Sequence, residues 1–123
     1  MAFTEYKGCL HIHLSPDIKN GQLDEIVNAA KSACLDFLAL TPHTPRRERY
    51  SDYFLLEGYS NGILILAGDE ADECSGLNHI LFFGNKGWLG KTNIEKTLSF
   101  AEKNSSLSFA AHPDGKHRLF GFE

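Results

Sequence analysis

The feature that most constrains the fold is the alternation of short apolar runs with amphipathic stretches. Runs of four to eight apolar residues bounded by Gly, Pro or Asn are typical of buried strands. Their alternation with helical patterns is typical of β/α units. We therefore predict an α/β domain with the element order β-α-β-α-β-β-α-β. Its five strands are predicted over the apolar runs 9–14, 35–41, 63–67, 79–83 and 107–111.

Three helices are predicted between these strands. From Gln22 to Ala33, apolar residues recur at the three-to-four spacing of an amphipathic helix. A short helix is predicted within 48–60. The third helix is expected to follow Thr92-x-x-Glu95, which has the pattern of a capping box.

Length and composition limit the class of protein. The 123 residues are expected to form a single domain, residues 1–123, whereas a complete (β/α)₈ barrel takes about 250 residues. The net charge is −4 and the basic residues form no clustered face, so the overall charge does not indicate a nucleic-acid partner.

No apolar run is long enough to cross a bilayer, so no membrane association is expected. The three cysteines form no CxxC pair, which favours a reducing compartment. We expect a cytoplasmic protein.

Histidines border most of the predicted strands. His11 and His13 are two residues apart, so their side chains leave the same face of a strand and can reach one metal ion. His43 follows the second predicted strand, Glu70 follows the third, and His112 ends the fifth. Because the carboxyl ends of parallel strands meet at one rim, we expect these side chains to converge there.

His79 begins its predicted strand, so it reaches that rim only if the strand runs antiparallel to the one before it. The short connection between these two strands makes such a hairpin reasonable. One histidine beside a strand is more often structural than a ligand. Five imidazoles around an acid would leave many polar atoms without partners, and a bound cation resolves that problem. The pattern therefore predicts a metal site, for which Zn²⁺, Mn²⁺ and Fe all suit the donor types.

Five segments, in order, resemble the motifs of the PHP (polymerase and histidinol phosphatase) family of metal-dependent phosphoesterases. The resemblance implies a distorted (β/α)₇ barrel, of which this chain would be a partial, N-terminal version lacking the C-terminal strands. The matching segments are Gly8–Asp17 with its HxH and Ser-Pro-Asp, Leu40–Thr44, Ala67–Glu70 as Gly-x-Glu, Asn78–Leu81, and Ala111–Pro113.

The resemblance also implies a function. Family members bind up to three divalent ions (Zn, Mn or Fe) and hydrolyse phosphate esters with a metal-activated water, here on a small phosphorylated substrate. One ion would be bound by His11, His13 and Glu70, and Glu70 would bridge to a second. The metal ligands implied by the motifs are His11, His13, Asp17, His43, Glu70, His79 and His112. Asp17 and His43, facing a third ion, are also candidates for proton transfer.

Two further groups of charged residues adjoin these motifs. Arg46 and Arg47 are candidates for binding the substrate phosphate, because a guanidinium matches phosphate oxygens, although a solvated loop is the simpler interpretation. Asp69, Asp72 and Glu73 are interpreted as a solvated turn.

Departures from the family pattern keep alternatives open. Pro42 stands where the family has Asp, and the family's late Asp-x-His pair has no good match, Asp114 and His117 being a poor substitute. One alternative is a degenerate PHP unit that binds metal as a scaffold without turnover. Another is an amidohydrolase-like enzyme, since HxH on a first barrel strand also occurs there. Five strands would leave an open sheet, so we expect a longer gene product with a C-terminal segment, or a homo-oligomer.

Overall fold

A curled six-stranded sheet, shaped like half of a barrel, is the framework of this mixed α/β chain. The computed structural model describes residues 3–14, 22–43, 50–72, 79–84, 87–104 and 107–112. None of the helices in these ranges is both long and apolar enough to span a membrane. The elements are β1 (Gly8–Ile12), α1 (Gln22–Ser32), β2 (Phe37–Leu40), α2 (Tyr50–Phe54), β3 (Gly58–Ser60), β4 (Ile63–Asp72), β5 (His79–Phe83), α3 (Ile94–Lys103) and β6 (Leu107–Ala110).

The direction of the strands places several strand ends on one rim. The sheet order is β1-β2-β4-β5-β6, and β1, β2 and β4 run parallel. The predicted antiparallel pairing is confirmed, because β5 runs antiparallel to β4. Since β6 is antiparallel to β5, it points the same way as β4. The carboxyl ends of β1, β2, β4 and β6 therefore share a rim with the amino end of β5.

The helices cover one face of the sheet. Val27 and Ala30 of α1 belong to a buried cluster with Leu38, Leu40 and Ile65. A second buried cluster combines residues of β4 and β5 with Ala101 of α3. Because side chains alternate along a strand, the odd-numbered residues of β4 face the helices and the even-numbered ones face the opposite side.

Three sequence-based expectations were wrong in detail. β4 continues five residues beyond its predicted end at Ala67, so Asp69 and Asp72 lie in a strand and not in a solvated turn. Its polar second half has low strand propensity, but pairing with the apolar β5 extends it. The short β3 was not predicted at all. Helix α3 is capped by Asn93, whose side chain accepts from the Lys96 amide, and not by Thr92.

Gly68 lies where β4 leaves its pairing with β2 and begins to pair with β5. A Cβ atom at this position would come within 2.5 Å of the Phe82 carbonyl oxygen and 2.8 Å of the Phe83 ring. We predict that Gly68→Ala lowers the free energy of unfolding by about 1–3 kcal/mol, the usual effect of overpacking. Urea denaturation of the metal-free protein measures this change.

The matched control is Gly87→Ala, because a Cβ there meets no atom closer than 3.7 Å. Its stability should stay within about 0.5 kcal/mol of the wild type. Equal stabilities for the two variants would show that the contact at Gly68 is not tight.

Candidate metal centre

Five imidazoles contact the side chain of Glu70, which is 0% exposed, and four of them lie within 3.1 Å of its oxygens. Its Oε2 lies 3.0 Å from Nε2 of His11 and 3.0 Å from Nε2 of His13. Its Oε1 lies 3.0 Å from Nδ1 of His79 and 3.1 Å from Nε2 of His112. One carboxylate thus joins residues from four different parts of the chain.

A second carboxylate, that of Asp72, extends the centre. Nδ1 of His43 is 3.3 Å from Glu70 Oε2 and donates to Asp72 Oδ1 at 2.8 Å. Nε2 of His79 is 3.6 Å from the same Asp72 oxygen. Two carboxylates therefore contact both of these imidazoles. On the outer side, Lys91 Nζ lies 3.2 Å from Asp72 Oδ2.

Strand pairing brings these side chains together. The ladder between β2 and β4 continues past β2, since the Glu70 amide donates to the Pro42 carbonyl at 2.9 Å and His43 bridges to Glu70 in parallel. Glu70 and Asp72 are both even-numbered residues of β4 and face away from the helices. Asp72 is also the register partner of His79 across the antiparallel pair. Backbone pairing between strands therefore sets the positions of His43, Glu70, Asp72 and His79.

His112 reaches the centre from a strained backbone conformation. Its φ of +34° lies in the left-handed region, which is costly for any residue with a Cβ. Residues held in such conformations persist where the surrounding structure fixes them, and they concentrate at functional sites. Here the strained turn directly follows β6 and directs the imidazole towards Glu70 Oε1.

The donor atoms have the spacing of a metal coordination sphere. Nε2 of His11 and Nε2 of His13 are 2.9 Å apart, and each is 3.0 Å from Glu70 Oε2. Two donors that bind one Zn²⁺ at about 2.0–2.2 Å, at tetrahedral or octahedral angles, are separated by roughly 2.8–3.6 Å. This nearly equilateral triangle fits one face of such a polyhedron. The buried cluster could therefore hold a metal ion.

A second group of donors shares the same carboxylate. Ligand atoms of His43, Glu70 and His79 all lie within 4.8 Å of one another. The two oxygens of Glu70 face different imidazoles, so one carboxylate is placed to serve both groups. Carboxylates and imidazoles are ligands that Zn²⁺, Mn²⁺ and Fe accept, and the donor types do not select among these metals.

The electrostatics of the centre suit cation binding. Burial lowers the pKa of His13, which keeps its imidazole neutral, the form that binds metals. Burial alone would raise the pKa of Glu70, but the hydrogen bond from His11 and the other imidazoles bring it below its ordinary value. Burial likewise opposes ionisation of Asp72, and hydrogen bonds from His43 and Lys91 outweigh it and lower the pKa. Both carboxyl groups are therefore anionic at neutral pH.

Not every residue expected from the sequence can be placed. The structure brings together His11, His13, His43, Glu70, His79 and His112. The other residues named from the sequence lie outside the described residues: Asp17, Arg46, Arg47, Glu73, Asp114 and His117. Sequence reasoning missed the contribution of Asp72 and of Lys91. The two-residue spacing from Glu70 to Asp72 was the signal for the first, and no local pattern marks the second.

No protein-family model matches the chain, and no curated protein is significantly similar to it. The chemistry of the site has to be inferred from its donor atoms and their geometry.

Replacing the shared carboxylate tests the metal centre. We predict that Glu70→Gln weakens binding of Mn²⁺ or Zn²⁺ at least about tenfold, because the amide carries no charge and presents a donor to the imidazoles. Metal content after dialysis, and the rise in Tm on adding metal, measure the change. Glu102→Gln on the exposed side of α3 is the matched control and should bind metal like the wild type. Full metal binding by Glu70→Gln would exclude this centre.

Asp69 makes the stability of the metal-free protein depend on pH. Its side chain is 2% exposed, and its Oδ1 has no hydrogen-bond partner in the described part of the chain. Burial, with repulsion from Asp72 and Glu70, raises the pKa of Asp69 to about 7. A carboxyl group with a raised pKa in the folded state stabilises the fold at low pH, where it is protonated. This contribution is lost as the pH rises through the pKa of the folded state, because the group must then ionise while it is buried.

We therefore predict that Asp69→Asn gains stability relative to the wild type between pH 5.5 and pH 8.5. Each pH unit below the folded pKa of about 7 corresponds to about 1.4 kcal/mol, so the gain over this pH range should be roughly 2 kcal/mol. Urea denaturation in a chelator at several pH values measures it. A stability difference that does not vary with pH would show that Asp69 titrates normally.

Proposed function

We propose that this protein is a metal-dependent phosphoesterase of the PHP type that acts on a small phosphorylated substrate. The observation that carries the proposal is the meeting of five imidazoles around the buried Glu70 carboxylate. The order of the sequence motifs and the half-barrel sheet agree with such a domain. The assignment to that family, and a full barrel, are part of the proposal.

The protein's own residues would hold the ions. His11, His13 and Glu70 would form the first group of ligands, and Glu70 is shared with the second group, which includes His43 and His79. The motif resemblance adds His112, whose Nε2 is 3.1 Å from Glu70 Oε1, to the ligands of a second ion. Up to three Zn, Mn or Fe ions are proposed, with Asp17 assigned to the third by its motif alone. When bound, such ions lower the pKa of a water and neutralise charge on phosphate oxygens. This chemistry requires no protein nucleophile.

His43 is the best candidate for proton transfer among the described residues. Its Nδ1 donates to Asp72 Oδ1 at 2.8 Å, which fixes the orientation of the ring. The side chain is 54% exposed, so the ring is open to the solvent from which a substrate arrives, and its Nε2 is the nitrogen that does not contact Asp72. Once protonated, that nitrogen can deliver a proton to the departing alkoxide.

Phosphatase assays of the full chain test the proposal. We expect hydrolysis of p-nitrophenyl phosphate in Mn²⁺ or Zn²⁺ and none in a chelator. His79→Ala should lower kcat/KM at least about a hundredfold, because its ring contacts both carboxylates. Every described histidine belongs to the centre, so the control is Glu102→Ala on α3, which should keep wild-type activity.

Two other outcomes would replace the proposal. Bound metal without turnover of the phosphate ester or of an anilide would favour a scaffold that binds metal. Hydrolysis of the anilide alone would favour the amidohydrolase-like alternative.

A further inference from the structure

Lys91 carries a positive charge to the edge of the metal centre. Its Nζ lies 3.2 Å from Asp72 Oδ2, and the other oxygen of Asp72 is 2.8 Å from His43 Nδ1. That imidazole nitrogen is 3.3 Å from Glu70 Oε2. The ammonium is thus separated from the shared carboxylate only by Asp72 and one ring.

The pair of Lys91 and Asp72 is half open to solvent. The Asp72 side chain is 12% exposed, whereas that of Lys91 is 64% exposed. The carboxylate is therefore largely buried in the centre, whereas most of the lysine side chain is open to solvent. Among the lysines and arginines in the described ranges, Lys91 alone forms an ion pair with a carboxylate of the centre.

A lysine in this position suits an anion with more than one negative charge. The lysine end of this pair is exposed, so its ammonium can contact a second anion from the solvent side. An ammonium on a flexible stem binds phosphate oxygens as a point charge. Above its second pKa near 6, a phosphomonoester is a dianion with three free oxygens. A phosphodiester has one negative charge and two free oxygens.

We propose that Lys91 binds a free oxygen of the substrate's phosphoryl group and makes the enzyme selective for dianionic phosphomonoesters over diesters. This inference rests on the proposed phosphoesterase function, and it specifies phosphomonoesters as the class of substrate. Asp72 holds the ammonium beside the centre until the anionic substrate arrives. No bond to Lys91 is made or broken, so it is a specificity-determining residue and not a nucleophile.

Kinetics with two esters test this proposal. Lys91→Met keeps the aliphatic stem and removes the charge, whereas Lys91→Arg keeps the charge. With Mn²⁺-loaded protein, we expect Lys91→Met to lower kcat/KM for p-nitrophenyl phosphate roughly tenfold to a hundredfold, mainly through KM. For bis(p-nitrophenyl) phosphate the loss should be only about threefold to tenfold, because this ester carries half the charge and a Coulomb energy falls in proportion to the charge. Lys91→Arg should retain most of the selectivity.

Lys103→Met is the matched control, since Lys103 is exposed at the end of α3. It should have wild-type kinetics on both esters, and all variants should contain wild-type amounts of metal. If Lys91→Met lowered kcat/KM equally for the two esters, the proposal would be overturned. Lys91 would then have a structural role, in which its ion pair with Asp72 holds the segment before α3 against β4. Unchanged kinetics on the monoester would overturn it as well.

A binding measurement separates this proposal from the proposed function. Isothermal titration calorimetry measures the affinity of the Mn²⁺-loaded protein for inorganic phosphate. We expect the Kd of Lys91→Met to be at least about tenfold higher than that of the wild type. If the wild type hydrolyses neither ester, the phosphoesterase proposal fails, and the phosphate titration still decides whether Lys91 recognises the anion. Equal affinity in both proteins, or no phosphate binding by the wild type, would refute the role of Lys91.

Discussion

The structure depends on the burial of one negative charge. Glu70 is 0% exposed, and moving a carboxylate out of water costs several kcal/mol unless partners compensate. The compensation comes from five imidazoles, and burial favours the neutral form of one of them, His13. Neutral rings supply dipoles and hydrogen bonds but no full positive charge. A bound metal ion would supply that charge, so the buried carboxylate and the cluster of imidazoles both fit a site for a cation.

The position of Glu70 is a consequence of how β4 is paired. Its first half lies between β2 and β3, and its second half pairs with β5 while β2 contributes only the bridge from His43. The first half is aliphatic and belongs to the core, and the second half carries the polar residues. Strand alternation then separates two neighbours: Glu70 faces the imidazoles, and Asp69 lies on the helix-covered side with a raised pKa. Adjacent carboxyl groups thus have opposite electrostatic environments.

Much of this arrangement could be read from the sequence because the connection between two strands limits their relative direction: a short one gives a hairpin, and a helical one allows a parallel pair. The two-residue spacing of His11 and His13, and the reversed strand that His79 begins, were enough to predict which side chains share a rim. The extension of β4 to Asp72 could not be read locally, since it depends on the apolar partner HILFF across the sheet. Lys91 is reached through a connection outside any strand, and only the tertiary structure brings it to Asp72.

The same geometry links metal binding to folding. The ligands come from strand ends distant in sequence, so the first group of three forms only when β1, β2 and β4 have paired, and the second only when β2, β4 and β5 have paired. Free energy from binding a cation would therefore stabilise the whole sheet, including the strained conformation of His112. Within the described residues, the curled sheet runs from β1 to β6, and β4 pairs with neither of these two strands. The Glu70 carboxylate of β4 nevertheless contacts His11 of β1 and His112 after β6, so it cross-links strands that backbone pairing does not join.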